Sequence, residues 1–189
     1  MKTVRTTTIL AVTALAATGV AASAQATPTR TATPSADSAC SVTWGSLPKT
    51  KSTMVAGPMS NVRAGRHACF DRLVVDLRGK PAGYRVEYVS QLTQPGSGAA
   101  VSIRGGAKLQ ITVNAPAYNP DGSPAYQPAN PKEVVNVSGY QTFRQVRWLG
   151  SYEGYSDLGL GVRARLPFRV FTLTDATTSR LVIDVAHAW

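Results

Sequence analysis

The chain has 189 residues, of which 20 are lysine or arginine and 10 are aspartate or glutamate, giving a formal net charge of +10. Such a surplus favours polyanionic partners, although it also serves solubility alone. The sequence contains no helix-turn-helix pattern, zinc-finger spacing or RNA-binding signature, so we expect no nucleic-acid ligand. It contains no strongly apolar run of about 20 residues, so we expect no transmembrane segment.

The N-terminal region is predicted to be an export signal. Lys2 and Arg5 precede an apolar run over residues 9–20, and small residues then offer cleavage after residue 24 or residue 26. We assign residues 1–24 to a signal peptide. Its removal leaves 18 cations against 10 acidic residues, or +8. We therefore expect a secreted, extracellular protein, either released or associated with the cell wall.

Residues 25–39 are mostly Thr, Pro, Ser and Ala, a composition that predicts a disordered linker. The remaining residues, 40–189, suffice for one domain with a proper core. The two cysteines, Cys40 and Cys69, both lie near the start of this domain. In an oxidising compartment we expect them to form a disulfide, and the alternative is a catalytic thiol.

The first half of the domain predicts strands separated by turns. A short β-prone stretch and a basic loop with Lys49 and Lys51 come first, and a strand is expected from about Val62. Strong strands follow at residues 70–78 and 84–89, the second with Tyr84 and Tyr88 on one face. A short strand at 101–103 and another at 109–113 complete this half.

Residues 114–131 contain five prolines, which cannot donate to a sheet, so we expect a long surface loop. The loop carries Tyr118 and Tyr126. A loop of this length inside a compact domain is usually functional or disordered. The alternative is an inert insertion packed by its own tyrosines.

The second half returns to strand at residues 133–137. Residues 140–149 fit either a helical turn or a strand. A strand is also expected at 158–165, where Gly159 and Gly161 weaken the strand or mark a bulge. Strands at 166–173 and 180–186 follow. The sequence thus predicts an all-β fold, a single-domain β-sandwich or open barrel of about eight or nine strands with at most one short helical turn.

A hexapeptide occurs twice, as RLVVDL at residues 72–77 and RLVIDV at residues 180–185. If the two strands pair antiparallel, Arg72 lies opposite Asp184 and Arg180 lies opposite Asp76, a charge-matched arrangement. The likeness indicates either a structural repeat or two half-buried strands that converged on one pattern. In both cases strands begin and end the domain.

The sequence contains no recognisable catalytic motif. His67 and His187 have no third ligand at metal-binding spacing, and no Gly-x-Ser-x-Gly elbow is present. Glu153 and Asp157 are the best acidic pair, but strand spacing alone does not make them an acid and a base. We therefore expect no catalytic residues, no metal and no cofactor.

The sequence supports a binding site better than a catalytic one. Arginines and aromatic residues lie within two predicted strands and a loop, and this combination suits sugars that bear carboxylates. The alternative is that the aromatic residues belong to the core and the arginines form a solvated edge. The candidate binding residues are Arg144, Arg147, Trp148, Tyr152, Tyr155, Arg163 and Arg165, with Tyr118 and Tyr126 from the loop.

Four blocks in this order resemble the AMIN-like family of exported proteins from high-GC Gram-positive bacteria: HACFDRLVVD at 67–76, GYRVEYV at 83–89, PFRV at 167–170 and RLVIDV at 180–185. The resemblance implies a non-catalytic β-sandwich related to the AMIN modules that hold wall amidases near peptidoglycan. We therefore hypothesise a partner that is a cell-wall glycan or anionic wall polymer. The alternative is a protein-interaction module or inhibitor that presents the 114–131 loop.

Overall fold

The computed structural model describes residues 40–55 and 57–189. The predicted signal peptide and linker lie outside the described residues. Eleven strands, rather than eight or nine, form in the described part of the chain, and no α-helix forms there. The strands are β1 (Lys49–Lys51), β2 (Met59–Arg66), β3 (Phe70–Arg78), β4 (Tyr84–Val89), β5 (Leu92–Thr93), β6 (Ala100–Val101), β7 (Ala107–Val113), β8 (Phe143–Tyr152), β9 (Tyr155–Val162), β10 (Phe168–Thr174) and β11 (Thr178–Ala186).

Two antiparallel sheets enclose one core. The larger sheet has the order β1-β4-β7-β9-β8, the smaller has the order β10-β11-β3-β2, and β5 pairs with β6 separately. Alternate side chains of both sheets, among them Leu73, Ile183, Ile111 and Leu160, are fully buried in one apolar cluster. The predicted all-β single domain is therefore confirmed, and its two layers form a sandwich.

The repeated hexapeptides lie side by side on β3 and β11, in the predicted register. Arg72 lies opposite Asp184 and the two form an ion pair with a 2.6 Å contact between Nε and Oδ1. Arg180 also lies opposite Asp76, but the expected second ion pair does not form. Arg180 binds Asp175 in the preceding turn at 2.6 Å instead.

Strand β2 supplies the partner that Asp76 takes in place of Arg180. Arg63 reaches the Asp76 carboxylate with its Nε at 2.9 Å, from the side of β3 that faces away from β11. The second cross-strand ion pair was thus predicted wrongly because each of its members has another partner within reach.

Two local predictions need correction. Residues 133–137 form no strand, because this segment follows the edge of β8 through single hydrogen bonds such as Val134 N to Val146 O, 2.9 Å, without a regular ladder. Lys49–Lys51, expected as a loop, is strand β1 and pairs with β4. The ambiguous residues 143–149 belong to strand β8.

The two glycines of β9 have a packing role. The β5–β6 hairpin contributes Leu92 and Val101 to a small second apolar cluster with Leu149. A Cβ at Gly159 would lie 2.5 Å from a Leu92 methyl group, and a Cβ at Gly161 would lie 1.8 Å from the carbonyl oxygen of Arg104. Glycine at these positions therefore lets the chain that carries the hairpin approach the sheet.

The disulfide Cys40–Cys69 is present, as predicted. Beside it, the backbone N–H of His187 donates to the Cys69 carbonyl at 3.0 Å. The His187 ring lies 3.2 Å from Oδ1 of the buried Asp71, whose Oδ2 accepts the backbone N–H groups of Thr142 and Phe143. These contacts join the end of β11 to the starts of β3 and β8.

Candidate functional site

The larger of two depressions near the β8–β9 turn is a groove with a volume of about 560 Å³, which we call the basic groove. Strand β1 provides Lys51, β4 provides Arg85 and β9 provides Tyr155. Lys51 is near Arg85 because β1 lies at the edge of the sheet next to β4. The other lining residues all carry a hydroxyl or amide group: Thr50, Ser52, Tyr84, Thr112 and Asn114.

The charges of the basic groove are only partly neutralised. Arg85 forms a two-point ion pair with Glu87, with contacts of 2.6 and 2.9 Å. Lys51 has no carboxylate within ion-pairing distance among the described residues. Tyr155 remains 40% exposed, so its ring face is open to solvent. The groove is therefore lined by a lysine that has no ion-pair partner among the described residues and by a partly exposed tyrosine.

A second, shallower depression of about 260 Å³ contains Tyr118, Tyr126 and Trp148, and we call it the aromatic depression. The rings of Tyr126 and Trp148 meet edge to face with their centroids 5.5 Å apart. Burial raises the pKa of Tyr126 to about 12, so its phenol stays neutral. Tyr118 accepts the backbone N–H of Gly154 at 3.0 Å, which ties the 114–131 loop to the turn.

The β8–β9 turn connects the two depressions. Ser151 lines the aromatic depression and Tyr155 lines the basic groove. The Ser151 hydroxyl donates to the Tyr155 carbonyl at 2.8 Å and accepts the backbone N–H of Ala117 at 3.0 Å. The Ser156 hydroxyl donates to the Ala115 carbonyl at 2.8 Å, so turn and loop are held together as one surface.

The structure does not bring all nine candidate binding residues together. Tyr118, Tyr126 and Trp148 share the aromatic depression, and Tyr155 lies in the basic groove. Tyr152 ends strand β8 next to the β8–β9 turn and is 51% exposed. The four arginines lie elsewhere and donate to backbone carbonyls: Arg144 to Tyr140, Gln141 and Phe143, Arg147 to Ser102, Arg163 to His187, and Arg165 to Ser46.

Sequence reasoning missed the cations of the basic groove. The sequence predicts a loop at Lys51, and the alternation within residues 84–89 puts Arg85 on the face opposite Tyr84 and Tyr88. The alternation of Tyr84, Arg85 and Val86 did show that Arg85 points away from the core. The missing information was the pairing of β1 with β4, which places Thr50 opposite Arg85.

The acidic pair considered from the sequence does not share a cleft. Glu153 is exposed at the turn, where its φ of 49° is in the left-handed region. Asp157 is 5% exposed and accepts the Thr112 hydroxyl at 2.5 Å, and burial raises the pKa of its carboxyl group. In the described residues no three His, Cys, Asp or Glu side chains group as metal ligands would.

Among the described residues, no helix has the length and apolar character needed to span a bilayer. Comparison with curated proteins finds no match, and comparison with solved structures finds none either. The family model of the AMIN-like domain matches residues 57–187, a region that includes β2 to β11 and begins after Cys40 and β1. The chain belongs to the AMIN-like domain family.

Proposed function

We propose that this protein is a secreted, non-catalytic module that binds the bacterial cell envelope, with peptidoglycan or an anionic wall polymer as its ligand. Membership of the AMIN-like family, a binding-module type, supports an envelope role. The single observation that carries the proposal is the placement of the basic groove and the aromatic depression on one continuous surface around the β8–β9 turn.

The chemistry of this surface suits a sugar chain that carries negative charge. The exposed ring of Tyr155 offers an apolar face to sugar C–H groups, and the hydroxyl and amide groups of the groove match sugar hydroxyls. Lys51 then attracts a carboxylate or phosphate without first breaking an ion pair within the described residues. Glu153 is exposed whereas Asp157 is buried, and this difference favours binding over hydrolysis, which requires two carboxylates facing one cleft.

The 114–131 loop remains the basis of the second candidate, a protein-interaction module. Its segment around Asp121 is exposed, whereas Tyr118 and Tyr126 are directed to the turn and to Trp148. This anchoring supports a role of the loop as a wall of the envelope site.

Co-sedimentation with purified wall sacculi over a salt series tests the proposal. We expect binding at low ionic strength that weakens as salt screens the charges. Lys51→Ala combined with Tyr155→Ala should weaken binding at least about tenfold, because it removes a charge-assisted contact and a ring face. Lys80→Ala, which removes an exposed charge from the β3–β4 turn, is the matched control. Absence of wild-type binding at low salt would refute the proposed function, and full binding by the double variant would refute the site.

A further inference from the structure

A separate pocket of about 440 Å³ is formed by Arg104, Glu133 and Arg144 together with the segment 136–140 and Phe143, and we call it the Arg144 pocket. It shares no lining residue with the basic groove or the aromatic depression. Tyr140 and Phe143 stack in parallel with their centroids 5.8 Å apart and form an aromatic wall. Burial raises the pKa of Tyr140, which keeps its phenol a neutral hydrogen-bond donor.

The Arg144 guanidinium is fixed by the backbone. Its Nη1 donates to the carbonyls of Tyr140 and Phe143 at 3.2 and 2.9 Å, and its Nη2 donates to the carbonyl of Gln141 at 3.2 Å. A guanidinium has five N–H donors, so the Nε–H and the second N–H of Nη2 remain. Nε and Nη2 flank one edge of the planar group, the edge that can bind a carboxylate or phosphate at two points.

Other arginines of the chain use that same edge within the protein. Four arginines donate through both Nε and Nη2 to a single residue: Arg63 to Asp76, Arg72 to Asp184, Arg85 to Glu87 and Arg165 to Ser46. In the described residues no carboxylate lies within ion-pairing distance of Arg144. The three carbonyls orient the group without neutralising its charge.

The local charge balance favours an anion. Glu133, the one carboxylate that lines the pocket, is bound by both terminal nitrogens of Arg104. Arg66 adds a further cation, with its guanidinium 6.0 Å from the centre of the Tyr140 ring. The buried Asp71 opposes them, but its oxygens already accept two backbone N–H groups and contact His187.

We infer that the Arg144 pocket binds an oxyanion, a carboxylate or a phosphate, through the Nε/Nη2 edge of Arg144. The volume exceeds that of a lone ion, and the aromatic wall offers contact to the group that carries the charge. This site is distinct from the proposed envelope surface, and it stands if that surface fails its own test.

NMR titration of the arginine Nε–H signals of the whole protein tests the site, with inorganic phosphate and acetate added separately at constant ionic strength. We expect a saturable shift of the Arg144 signal, and the anion that binds more tightly identifies phosphate or carboxylate as the natural group. Arg147→Gln, on the same strand, should titrate like the wild type because Arg147 does not line the pocket.

Two variants then give opposite results. Arg144→Gln, followed through the backbone amide signals of pocket residues 136–140, should weaken binding about tenfold or more, since it removes two charge-assisted hydrogen bonds. Glu133→Gln should strengthen binding about two- to fivefold by removing the opposing carboxylate, a gain that a loosened fold would not produce. A shift that fails to saturate for either anion, or Glu133→Gln binding no tighter than the wild type, would overturn the inference.

Discussion

The carboxylate of Asp184 on β11 lies 2.6 Å from Nε of Arg72 on the neighbouring strand β3, although 112 positions separate the two residues in the chain. Arg169 on β10 contacts the other carboxylate oxygen at 2.8 Å, so one fully buried acid joins three adjacent strands. Both guanidinium groups also lie over the rings of Phe70 and Phe171. The outer face of the smaller sheet thereby gains a cross-link at its centre.

Asp184→Asn should lower the free energy of unfolding by about 2–4 kcal/mol, because two arginines lose the anion that they share and a buried network is broken. Asp76→Asn is the control. Its partner Arg63 has a side chain that is 50% exposed, and such a pair contributes about 1 kcal/mol or less. Urea unfolding of both variants measures the difference, and equal losses would show that Asp184 has no special role.

This arrangement shows what periodicity can predict. If the two hexapeptides pair antiparallel, only one register brings Arg72 opposite Asp184 and Arg180 opposite Asp76, and β3 and β11 pair in that register. Periodicity contains no information about a third strand, so the contribution of Arg169 was not foreseen. The cations of the basic groove were not foreseen for a similar reason: Lys51 lines the same groove as Tyr155 only because β1 joins β4 at the edge of the larger sheet.

Gly161→Ala should destabilise the protein by about 2–4 kcal/mol, because the new methyl group would meet the backbone oxygen of Arg104, which cannot move without displacing the adjoining chain. Gly159→Ala should cost less, since its closest neighbour is the flexible end of Leu92. Gly65→Ala on β2 serves as the control, because its new Cβ would make only an ordinary contact of 3.8 Å with the His67 ring. Thermal unfolding of the three variants gives the order, and a Gly161→Ala protein as stable as Gly65→Ala would contradict the packing role.

Asp157 gives a prediction about pH. Burial raises the pKa of its carboxyl group in the folded protein, whereas hydrogen bonds from Thr112 and Gln110 partly oppose the shift. Between the unfolded and folded pKa values the native state binds more protons, so this group's contribution to stability falls as pH rises through that window. Asp157→Asn removes the ionisation.

We therefore expect Asp157→Asn to gain stability relative to the wild type as pH is raised from about 3 to 7, because only the wild type ionises a buried carboxyl group over this range. Urea unfolding at a series of pH values measures the difference between the two proteins. Glu153→Gln, which changes an exposed carboxylate in the adjacent turn, is the control for loss of a carboxylate that is not buried. A difference independent of pH for Asp157→Asn would contradict the raised pKa.

Tyr126 gives the corresponding prediction at alkaline pH. The ordinary tyrosine pKa is 10.0, and burial against Trp148 raises that of Tyr126 to about 12. As pH rises between these values the unfolded chain loses the phenolic proton and the native protein keeps it, so the stability contribution of the neutral phenol is progressively lost.

Tyr126→Phe preserves most of the ring packing and should flatten this part of the stability profile. Tyr155→Phe, at an exposed ring, should not. Titration of tyrosinate absorbance should lose its component near pH 12 in Tyr126→Phe and keep it in Tyr155→Phe. An unchanged titration in Tyr126→Phe would mean that the aromatic depression does not bury Tyr126.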